Sequence, residues 1–196
     1  RVDCPMVCDM SSDIFSRKID VSKFDLIYAG AQKNLGPAGA TLVIVKDEIL
    51  GETNREIPSM LDYKIHISKD SMFNTPPVFS IYVSMLTMRW LKAKGGLDWI
   101  QNRNEQKANL LYNTIDQSSI FEGAAQLSDR SKMNATFLLN DNKLESEFLK
   151  SCEDNGINGI KGHRSVGGFR ASMYNALPME SVEVLVDIMN ELEKTK

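Results

Sequence analysis

A single lysine lies among small residues directly after an apolar stretch, in the run Tyr28–Gly39, which reads YAGAQKNLGPAG. The apolar residues Leu26–Tyr28 predict a strand that ends here, and the glycines predict a turn. Because glycine and alanine lie close to Lys33, a flat and bulky group has room to approach its amine. A buried lysine can lose its charge and become a nucleophile toward a carbonyl, as a Schiff-base lysine does. The alternative is a glycine-rich turn between two strands that carries Lys33 at its exposed tip.

The composition limits the class of partner. The chain has 196 residues, of which 42% are hydrophobic and 25% charged, with a formal net charge of −3, as in an ordinary globular protein. This mild acidity and the lack of a long basic block argue against a nucleic-acid or membrane-surface binder. No apolar run approaches the roughly 20 residues that a membrane span needs. We therefore expect neither nucleic acid nor a membrane as a partner.

The three cysteines, Cys4, Cys8 and Cys152, cannot all pair with one another and have no zinc-finger spacing. Cys4 and Cys8 lie in or beside an apolar, strand-like stretch. We expect buried free thiols in a reducing cytoplasm, and we predict no metal site.

The chain starts at Arg1 and reaches a strand-like apolar stretch at Met6–Cys8 almost at once. Its first residues match neither a signal peptide nor a helix cap. A chain that opens inside a core is typical of a fragment of a longer protein, although a processed protein would look similar.

The first half of the chain is predicted to hold three short strands and one long helix. The strands are Pro5–Asp9, Asp25–Ala29 and Thr41–Lys46, a short helix covers Lys46–Leu50, and the long helix covers Pro77–Ala93. Residues 51–78 have an irregular pattern with several prolines.

The second half shows a smaller pattern of mixed helices and strands. A helix is predicted over Leu97–Ile115, and its polar stretch Asn102–Asn109 suggests that it bridges two domains. Strands follow at Asn134–Leu139 and Phe169–Met173, and helices at Leu144–Asn155 and Pro178–Leu192. We place the domain boundary near residue 100, which gives domains 1–100 and 101–196.

Asp9 ends the first predicted strand, one strand before Lys33. If the two strands are parallel, both residues lie at the same sheet edge, where α/β sheets bind ligands. A carboxylate there can pair with a pyridinium nitrogen and keep it protonated. The alternative is that Asp9 only caps the next element. The amide of Gln32, beside the lysine, could reach a phosphate or simply the local backbone.

Asn74 and Thr75 lie in a polar turn ahead of the long helix. Hydroxyl and amide groups at a helix start suit an anionic phosphate. The equally acceptable alternative is a simple helix entry, with Thr75 as the N-cap and Pro76 in the first turn.

The run Gly162–Ser172 concentrates His163, Arg164 and Arg170 among three glycines. It could be a solvated basic loop. However, Arg170 falls within an apolar strand pattern, where a charge needs a partner, and a carboxylate matches the geometry of its guanidinium. His163 and Arg164 would suit a second anion, such as a phosphate.

Taken together, these runs resemble the phosphoserine aminotransferases, a family of class-V pyridoxal-phosphate enzymes with the fold type I of aspartate aminotransferase. The resemblance extends from about Pro5 to the C-terminus. The matching motifs are Asp9–Ser12, Ile19–Phe24, Ala29–Gly39, Phe73–Pro77 and Lys161–Ser172.

The resemblance implies an α/β fold. Residues 1–100 would be the C-terminal part of the large cofactor-binding domain, with a mostly parallel sheet, and residues 101–196 would be a small α+β C-terminal domain. It also implies transamination between L-glutamate and 3-phosphohydroxypyruvate, which yields O-phospho-L-serine and 2-oxoglutarate in serine biosynthesis.

The resemblance also implies a role for each site residue. Lys33 would hold pyridoxal 5′-phosphate covalently and then act as the catalytic base, Asp9 would hold the pyridine nitrogen, and Gln32 would contact the cofactor phosphate. Asn74 and Thr75 would reach the phosphate in the neighbouring subunit, so that a homodimer forms the complete site.

The same resemblance assigns the substrate to the C-terminal residues. Arg170 would bind the α-carboxylate, and His163 with Arg164 would favour the phosphate end of phosphoserine.

Family members are nearly twice as long as this chain, which resembles only their C-terminal part. It lacks the aromatic residue that stacks on the pyridine ring, the Gly/Ser-type turn and helix start that bind most of the cofactor phosphate, and further substrate arginines. We therefore expect the chain to be inactive alone. The alternatives are another class-V enzyme, such as an alanine–glyoxylate or serine–pyruvate aminotransferase or a cysteine desulfurase, or a non-catalytic truncated copy.

Overall fold

The structure is a computed structural model that describes residues 3–164 and 167–196. The chain divides into two compact units, Arg1–Leu97 and Asp98–Lys196. This division lies close to the boundary predicted near residue 100. The assignment of the two units to a large and a small domain stays a prediction.

The first unit contains a three-stranded sheet and two α-helices. Its elements are β1 (Val7–Asp9), β2 (Leu26–Gly30), β3 (Thr41–Val45), α1 (Tyr63–Ser68) and α2 (Val78–Ala93). The strand order is β1-β2-β3; β1 and β2 are parallel, whereas β2 and β3 are antiparallel. The expected mostly parallel arrangement thus holds for β1 and β2 only, because the short connection between β2 and β3 allows a direct antiparallel return.

The core of the first unit lies beneath the ends of β1 and β2. Its buried apolar residues are Met10, Ile14, Ile27, Ala29, Ala31 and Leu35. Among the described strands β1 pairs with β2 alone, and Val7 is 59% exposed, so the prediction that this strand is buried is wrong. Of the two thiols expected to be buried here, Cys4 is exposed and Cys8 is half-buried, and all three cysteines of the chain are free.

Helix α2 begins within one residue of its predicted start, and most of its apolar residues are exposed. The exposed ones are Val78, Phe79, Ile81, Tyr82, Leu86 and Met88. Sequence reasoning missed α1, because prolines interrupt residues 51–78. The signal was Asp62, whose carboxylate accepts the backbone N–H of Lys64 as an N-cap at 2.9 Å.

The second unit packs three helices with an antiparallel sheet. Its elements are α3 (Gly96–Gln117), β4 (Phe121–Gly123), β5 (Asn134–Leu139), α4 (Glu145–Asp154), β6 (Phe169–Ser172) and α5 (Met179–Lys194). The strand order is β4-β5-β6. Strand β4 was not predicted, since three residues are too short to show an alternating pattern.

Four phenylalanines form the centre of this second core. Phe121, Phe137, Phe148 and Phe169 are at most 2% exposed, and the contacting ring centroids lie 4.8–6.2 Å apart. Most pairs meet edge to face, which aromatic quadrupoles favour. They place Phe169 inward, and alternation along β6 therefore turns Arg170 to the other face.

The polar stretch of α3 differs from its interpretation. Within Asn102–Asn109, Asn104 and Lys107 are 1% and 0% exposed and lie inside the second unit. Part of the polar composition there therefore consists of buried hydrogen-bonding groups, whereas Asn102, Gln106 and Asn109 are exposed.

Candidate active site

Asp9 and the lysine turn lie at the same edge of the first sheet. Strands β1 and β2 run parallel and end there, with Asp9 paired in register with Tyr28. Lys33 follows in the turn after β2, within reach of an electrostatic interaction with the Asp9 carboxylate. The structure thus brings together the two residues on which the sequence hypothesis depends.

The Asp9 carboxylate is held in its ionised form. The largest cause of its lowered pKa is a hydrogen bond from the Ser11 hydroxyl, followed by one from the Ser11 backbone N–H, which lies 2.8 Å from Oδ1. A hydrogen bond from the Tyr28 hydroxyl and the charge of Lys33 lower the pKa further, and slight burial opposes them. The negative charge of Asp9 in turn raises the pKa of Tyr28.

Ser11 connects the two strand ends. Its Oγ accepts the backbone N–H of Gly30 at 2.9 Å, while its own N–H donates to Asp9. The side chain is buried, and its partners lie on β1 and β2. Sequence reasoning assigned Ser11 no role, although a small polar residue directly after a strand-ending carboxylate was the available signal.

Asn34 ties the lysine turn to the segment that follows Asp9. Its Nδ2 donates to the carbonyls of Ser12 at 2.9 Å and Ile14 at 3.2 Å, and the residue is 5% exposed. Sequence reasoning missed this tie, because its partners lie far away along the chain.

Lys33 and Gln32 are exposed. Lys33 therefore lies at an exposed turn, as the alternative interpretation predicted. Its amine is not buried, whereas the Schiff-base interpretation required a buried amine. The amide of Gln32 folds back over Gly30, where an added Cβ would lie 2.7 Å from Oε1. Glycine at position 30 is what allows this close approach.

Helix α2 supports the far end of the lysine turn. The Ser80 hydroxyl donates to the Ala38 carbonyl at 2.6 Å. Gly39 has a φ of +126°, and an added Cβ would lie 2.6 Å from Ser80 Oγ. The glycine therefore lets the turn close tightly against the helix.

Asn74 and Thr75 lie in the exposed turn before α2. The Asn74 Nδ2 donates to the Thr75 carbonyl at 3.2 Å. The helix begins at Val78 with Pro77 in the N-cap position and no side-chain cap, so the interpretation of Thr75 as an N-cap is wrong. The assignment of these two residues to a phosphate stays a prediction.

Arg170 and His163 share a small pocket in the second unit. It has a volume of about 90 Å³, and Thr136 and Gly167 also line it. Arg170 is exposed, so the premise that its charge is buried in an apolar strand is wrong. Its backbone N–H donates to the Ile160 carbonyl at 2.7 Å, which fixes β6 on the side away from β5.

The loop beside this pocket requires glycine. Gly168 has a φ of +62°, and an added Cβ would lie 2.6 Å from the Phe137 carbonyl oxygen and against Leu138. Arg164 is exposed, and Ser165 and Val166 of the predicted motif lie outside the described residues.

A second pocket, of about 400 Å³, lies beside Arg170 and is lined mostly by apolar residues, with Ser172 and Ser181 among its polar ones. Arg170 therefore lines both of these pockets.

The sequence matches the model of a known protein family over most of its length. The model of the class-V aminotransferases matches residues 1–185. The chain belongs to the class-V aminotransferase family. Asp9, Lys33 and the Arg170 loop all lie inside the matched region.

Named relatives agree with this assignment. The phosphoserine aminotransferase of Flavobacterium psychrophilum is 65% identical over 98% of this chain and 54% of its own length. That of Porphyromonas gingivalis is 60% identical over 96% of this chain and 53% of its own length. The chain thus spans about half the length of the curated relatives it matches.

Solved structures of the family have the same fold. Phosphoserine aminotransferase from Bacillus circulans subsp. alkalophilus superposes with a TM-score of 0.94 at 47% identity, over 99% of this chain and 54% of that one. The pyridoxal-phosphate-bound enzyme from Trichomonas vaginalis gives a TM-score of 0.90 at 38% identity, over 97% and 55%. These structures confirm the predicted fold type I.

The described residues hold neither a metal-binding cluster nor a membrane-spanning helix. Residues 3–164 and 167–196 contain no cluster of three or more side chains suited to hold a metal ion. Within the same residues, none of the helices has the length and apolar character required to cross a membrane.

Proposed function

We propose that this chain is part of a pyridoxal-phosphate-dependent phosphoserine aminotransferase. The complete protein would transfer the amino group of L-glutamate to 3-phosphohydroxypyruvate, giving 2-oxoglutarate and O-phospho-L-serine in serine biosynthesis. The observation that carries the proposal is the ionised Asp9 carboxylate at the same sheet edge as the Lys33 amine. The names of relatives at 65% and 47% identity support the choice of substrate.

The residues present fit a pyridine ring that bears an aldehyde. An amine is the group that can bond to the aldehyde carbon, and an ionised carboxylate is the group that can accept a protonated ring N–H. Asp9 and Lys33 supply both groups, and electrostatic interaction already links them in the protein. When bound, pyridoxal phosphate supplies an electron sink for negative charge at the substrate α-carbon.

Asp9 would keep the ring nitrogen protonated. The hydrogen bonds from Ser11 stabilise its charged form, so that the carboxylate is ionised at neutral pH. Because Ser11 also binds Gly30, the carboxylate is fixed relative to the strand that leads to Lys33.

Lys33 would hold the cofactor covalently and then serve as the base. Its amine would take the proton from the substrate α-carbon and deliver it to C4′ of the cofactor. Exposure of the side chain gives it the freedom that two successive proton positions require. The Gln32 amide would contact the cofactor phosphate.

The second unit would bind the substrate anions. Arg170 would bind the α-carboxylate by donating two parallel N–H bonds to it, a geometry that suits a guanidinium. His163 lines the same pocket, and it would bind the phosphate of phosphoserine together with Arg164. Glutamate would place its side-chain carboxylate where the phosphate otherwise lies.

The proposal extends to assembly and location. Asn74 and Thr75 would contact the cofactor phosphate of a neighbouring subunit in a homodimer. The exposed apolar side chains Val78 and Phe79, which directly follow this turn on α2, support a covered surface there. The exposed free thiol of Cys4 supports a reducing cytoplasm. Residues 1–100 would belong to the large domain and 101–196 to the small one.

The test uses the complete protein that contains this sequence. We expect 2-oxoglutarate and O-phospho-L-serine to give glutamate, and the purified protein to show a pH-dependent absorbance band near the visible edge. Lys33→Ala should abolish turnover, whereas the matched control Lys23→Ala, at an exposed lysine 4.0 Å from Asp20, should retain it.

Two outcomes would overturn the proposal. Activity with alanine and glyoxylate but not with phosphoserine would indicate another class-V enzyme. A protein that stays colourless and inactive after addition of pyridoxal phosphate would indicate a non-catalytic copy.

A further inference from the structure

The most deeply buried cation of the second unit has no place in the proposed reaction. Lys107 on α3 is 0% exposed. Its Nζ donates to the main-chain carbonyls of Met173 at 3.1 Å, Tyr174 at 2.9 Å and Leu177 at 3.2 Å. An ammonium group has three donors, and these three acceptors match them in number.

A second polar side chain on α3 holds the same segment. Asn104, one helical turn before Lys107, donates through Nδ2 to Asn175 Oδ1 at 2.9 Å. Asn104 and Asn175 are 1% and 3% exposed. Asn104 and Lys107, both buried on one face of α3, therefore bind residues 173–177, which we call the clamped segment.

The clamped segment is the direct continuation of the strand that carries Arg170. It joins β6 to α5, and its first residue, Met173, also donates its N–H to the Met133 carbonyl at 2.7 Å. Upstream, the N–H of Arg170 is fixed on the Ile160 carbonyl at 2.7 Å. Since a shift of one residue would turn Arg170 to the opposite face of the sheet, both ends of β6 must be held.

The buried charge of the Lys107 ammonium is energetically costly. An apolar side chain of similar length could fill the same space without the desolvation penalty of a buried ammonium. That penalty, together with the nearby charge of Arg103, lowers the pKa of Lys107 to about 8. The ammonium forms three directional bonds to carbonyls of the clamped segment, and the one from Tyr174 also accepts the Leu177 N–H at 2.9 Å.

We propose that Lys107, assisted by Asn104, is a positioning residue that fixes the clamped segment and thereby places Arg170 for the substrate carboxylate. The role of Arg170 in this inference rests on the proposed function. Lys107 does not touch substrate, so its loss should weaken the binding of both amino-acid substrates and leave the cofactor site in the first unit unchanged.

The experiment compares Lys107→Met with Lys150→Met, an exposed lysine on α4, in the complete protein loaded with pyridoxal phosphate. Lys107→Met should raise KM for both phosphoserine and glutamate about tenfold and change kcat less, because a small misplacement of a binding group acts on substrate capture. The absorbance of the loaded protein should not change. Lys150→Met should match the wild type in all of these measurements.

Amide hydrogen exchange measures the clamp without relying on activity. In Lys107→Met, exchange should accelerate in residues 173–177 and leave the amides of β1 and β2 unaffected. If Lys107→Met does not fold, Asn104→Ala removes one bond to the same segment and leaves the ammonium, and it should give the same local pattern at smaller amplitude.

The outcomes separate the inference from the function on which it rests. Unchanged exchange in residues 173–177, or faster exchange there with unaltered KM values, would overturn the positioning role. A wild-type protein without phosphoserine transamination would instead refute the proposed function, and the exchange pattern would still decide whether Lys107 holds the segment.

Discussion

The Ser11 hydroxyl lies 2.9 Å from the Gly30 nitrogen and accepts its N–H, while Ser11 also donates to the Asp9 carboxylate. One small buried side chain thus sets the position and the charge state of the acid. It also locks the strand end from which the lysine turn departs.

Replacing Ser11 should therefore destabilise the ionised form of the Asp9 carboxylate. In Ser11→Ala the pKa of Asp9 should rise toward that of an ordinary aspartate, because the largest cause of its lowering is removed, while the backbone N–H bond, the Tyr28 hydroxyl and the charge of Lys33 remain. Carboxyl-detected NMR titration measures the pKa directly. Loss of the partner of the Gly30 N–H should also reduce the free energy of unfolding by about 1 kcal/mol.

Ser12→Ala is the neighbouring control. Ser12 contributes its carbonyl, not its hydroxyl, to the Asn34 contact, so the alanine variant keeps that bond. An Asp9 pKa that is equal in Ser11→Ala and wild type would show that the serine hydroxyl does not govern the acid.

Asn34 should contribute strongly to stability. Asn34→Ala leaves the buried carbonyl of Ile14 without its 3.2 Å donor and removes the 2.9 Å bond to Ser12, so we expect a loss of about 1–3 kcal/mol in the free energy of unfolding. Urea denaturation of the full protein gives the value. The exposed Asn102→Ala on α3 should lie within about 0.5 kcal/mol of wild type, and an equal effect of both substitutions would contradict the tie.

Helices and strands could be predicted where the spacing of apolar residues within the element shows its period. Strand β5 was predicted at both of its ends, since its residues alternate between buried and half-buried positions. Helix α2 was placed correctly for a similar reason, but its exposure was not foreseeable, because periodicity shows which residues share a face and not what covers it.

The common location of Asp9 and Lys33 was predictable, because Asp9 ends one strand of a parallel pair and Lys33 follows the other. Their supports were not. The side chains that support the site bind groups distant in sequence, as Ser11, Asn34 and Lys107 show. The sequence alone does not show whether a polar side chain is solvated or buried. Arg170 shows the converse, since it alternates with the buried Phe169 and Ala171 along β6 and its charged side chain is therefore exposed.

The buried Lys107 should give the protein an unusual dependence on alkaline pH. Its pKa falls from 10.5 to about 8 on folding, so the unfolded chain binds more protons between these values. Stability from this group is therefore lowest below pH 8 and rises as the pH increases toward 10.5, by an amount on the order of 3 kcal/mol. The difference in unfolding free energy between wild type and Lys107→Met isolates this contribution from other titrating groups.

The unfolding free energy of the wild type minus that of Lys107→Met should increase as the pH rises from 8 to 10. A difference that is constant with pH would mean that the Lys107 amine titrates alike in the folded and unfolded protein. Lys150→Met supplies the baseline for removing an exposed lysine charge.

Thiol labelling should separate the cysteines by burial. Cys152 is fully buried in the second core, and desolvation raises the pKa of its thiol to about 11, whereas Cys4 is exposed. A maleimide reagent at neutral pH should modify Cys4 rapidly and Cys152 only when the second unit opens. Peptide mass mapping over time measures both rates, and comparable rates in the native protein would contradict the packing around Cys152.

Two glycines of the second unit differ in one respect and form a matched pair. Gly168 and Gly156 both have positive φ, at +62° and +77°, but a Cβ on Gly156 meets nothing within 4 Å, whereas one on Gly168 would lie 2.6 Å from the Phe137 carbonyl oxygen. Gly156→Ala should therefore lose only the backbone preference, about 1 kcal/mol. Gly168→Ala should lose about 2 kcal/mol more, because strand β5 must move, and it should weaken substrate binding at the adjoining His163–Arg170 pocket. Thermal unfolding and KM for phosphoserine test both effects, and equal losses for the two variants would show that the close approach of Gly168 to β5 does not constrain the loop.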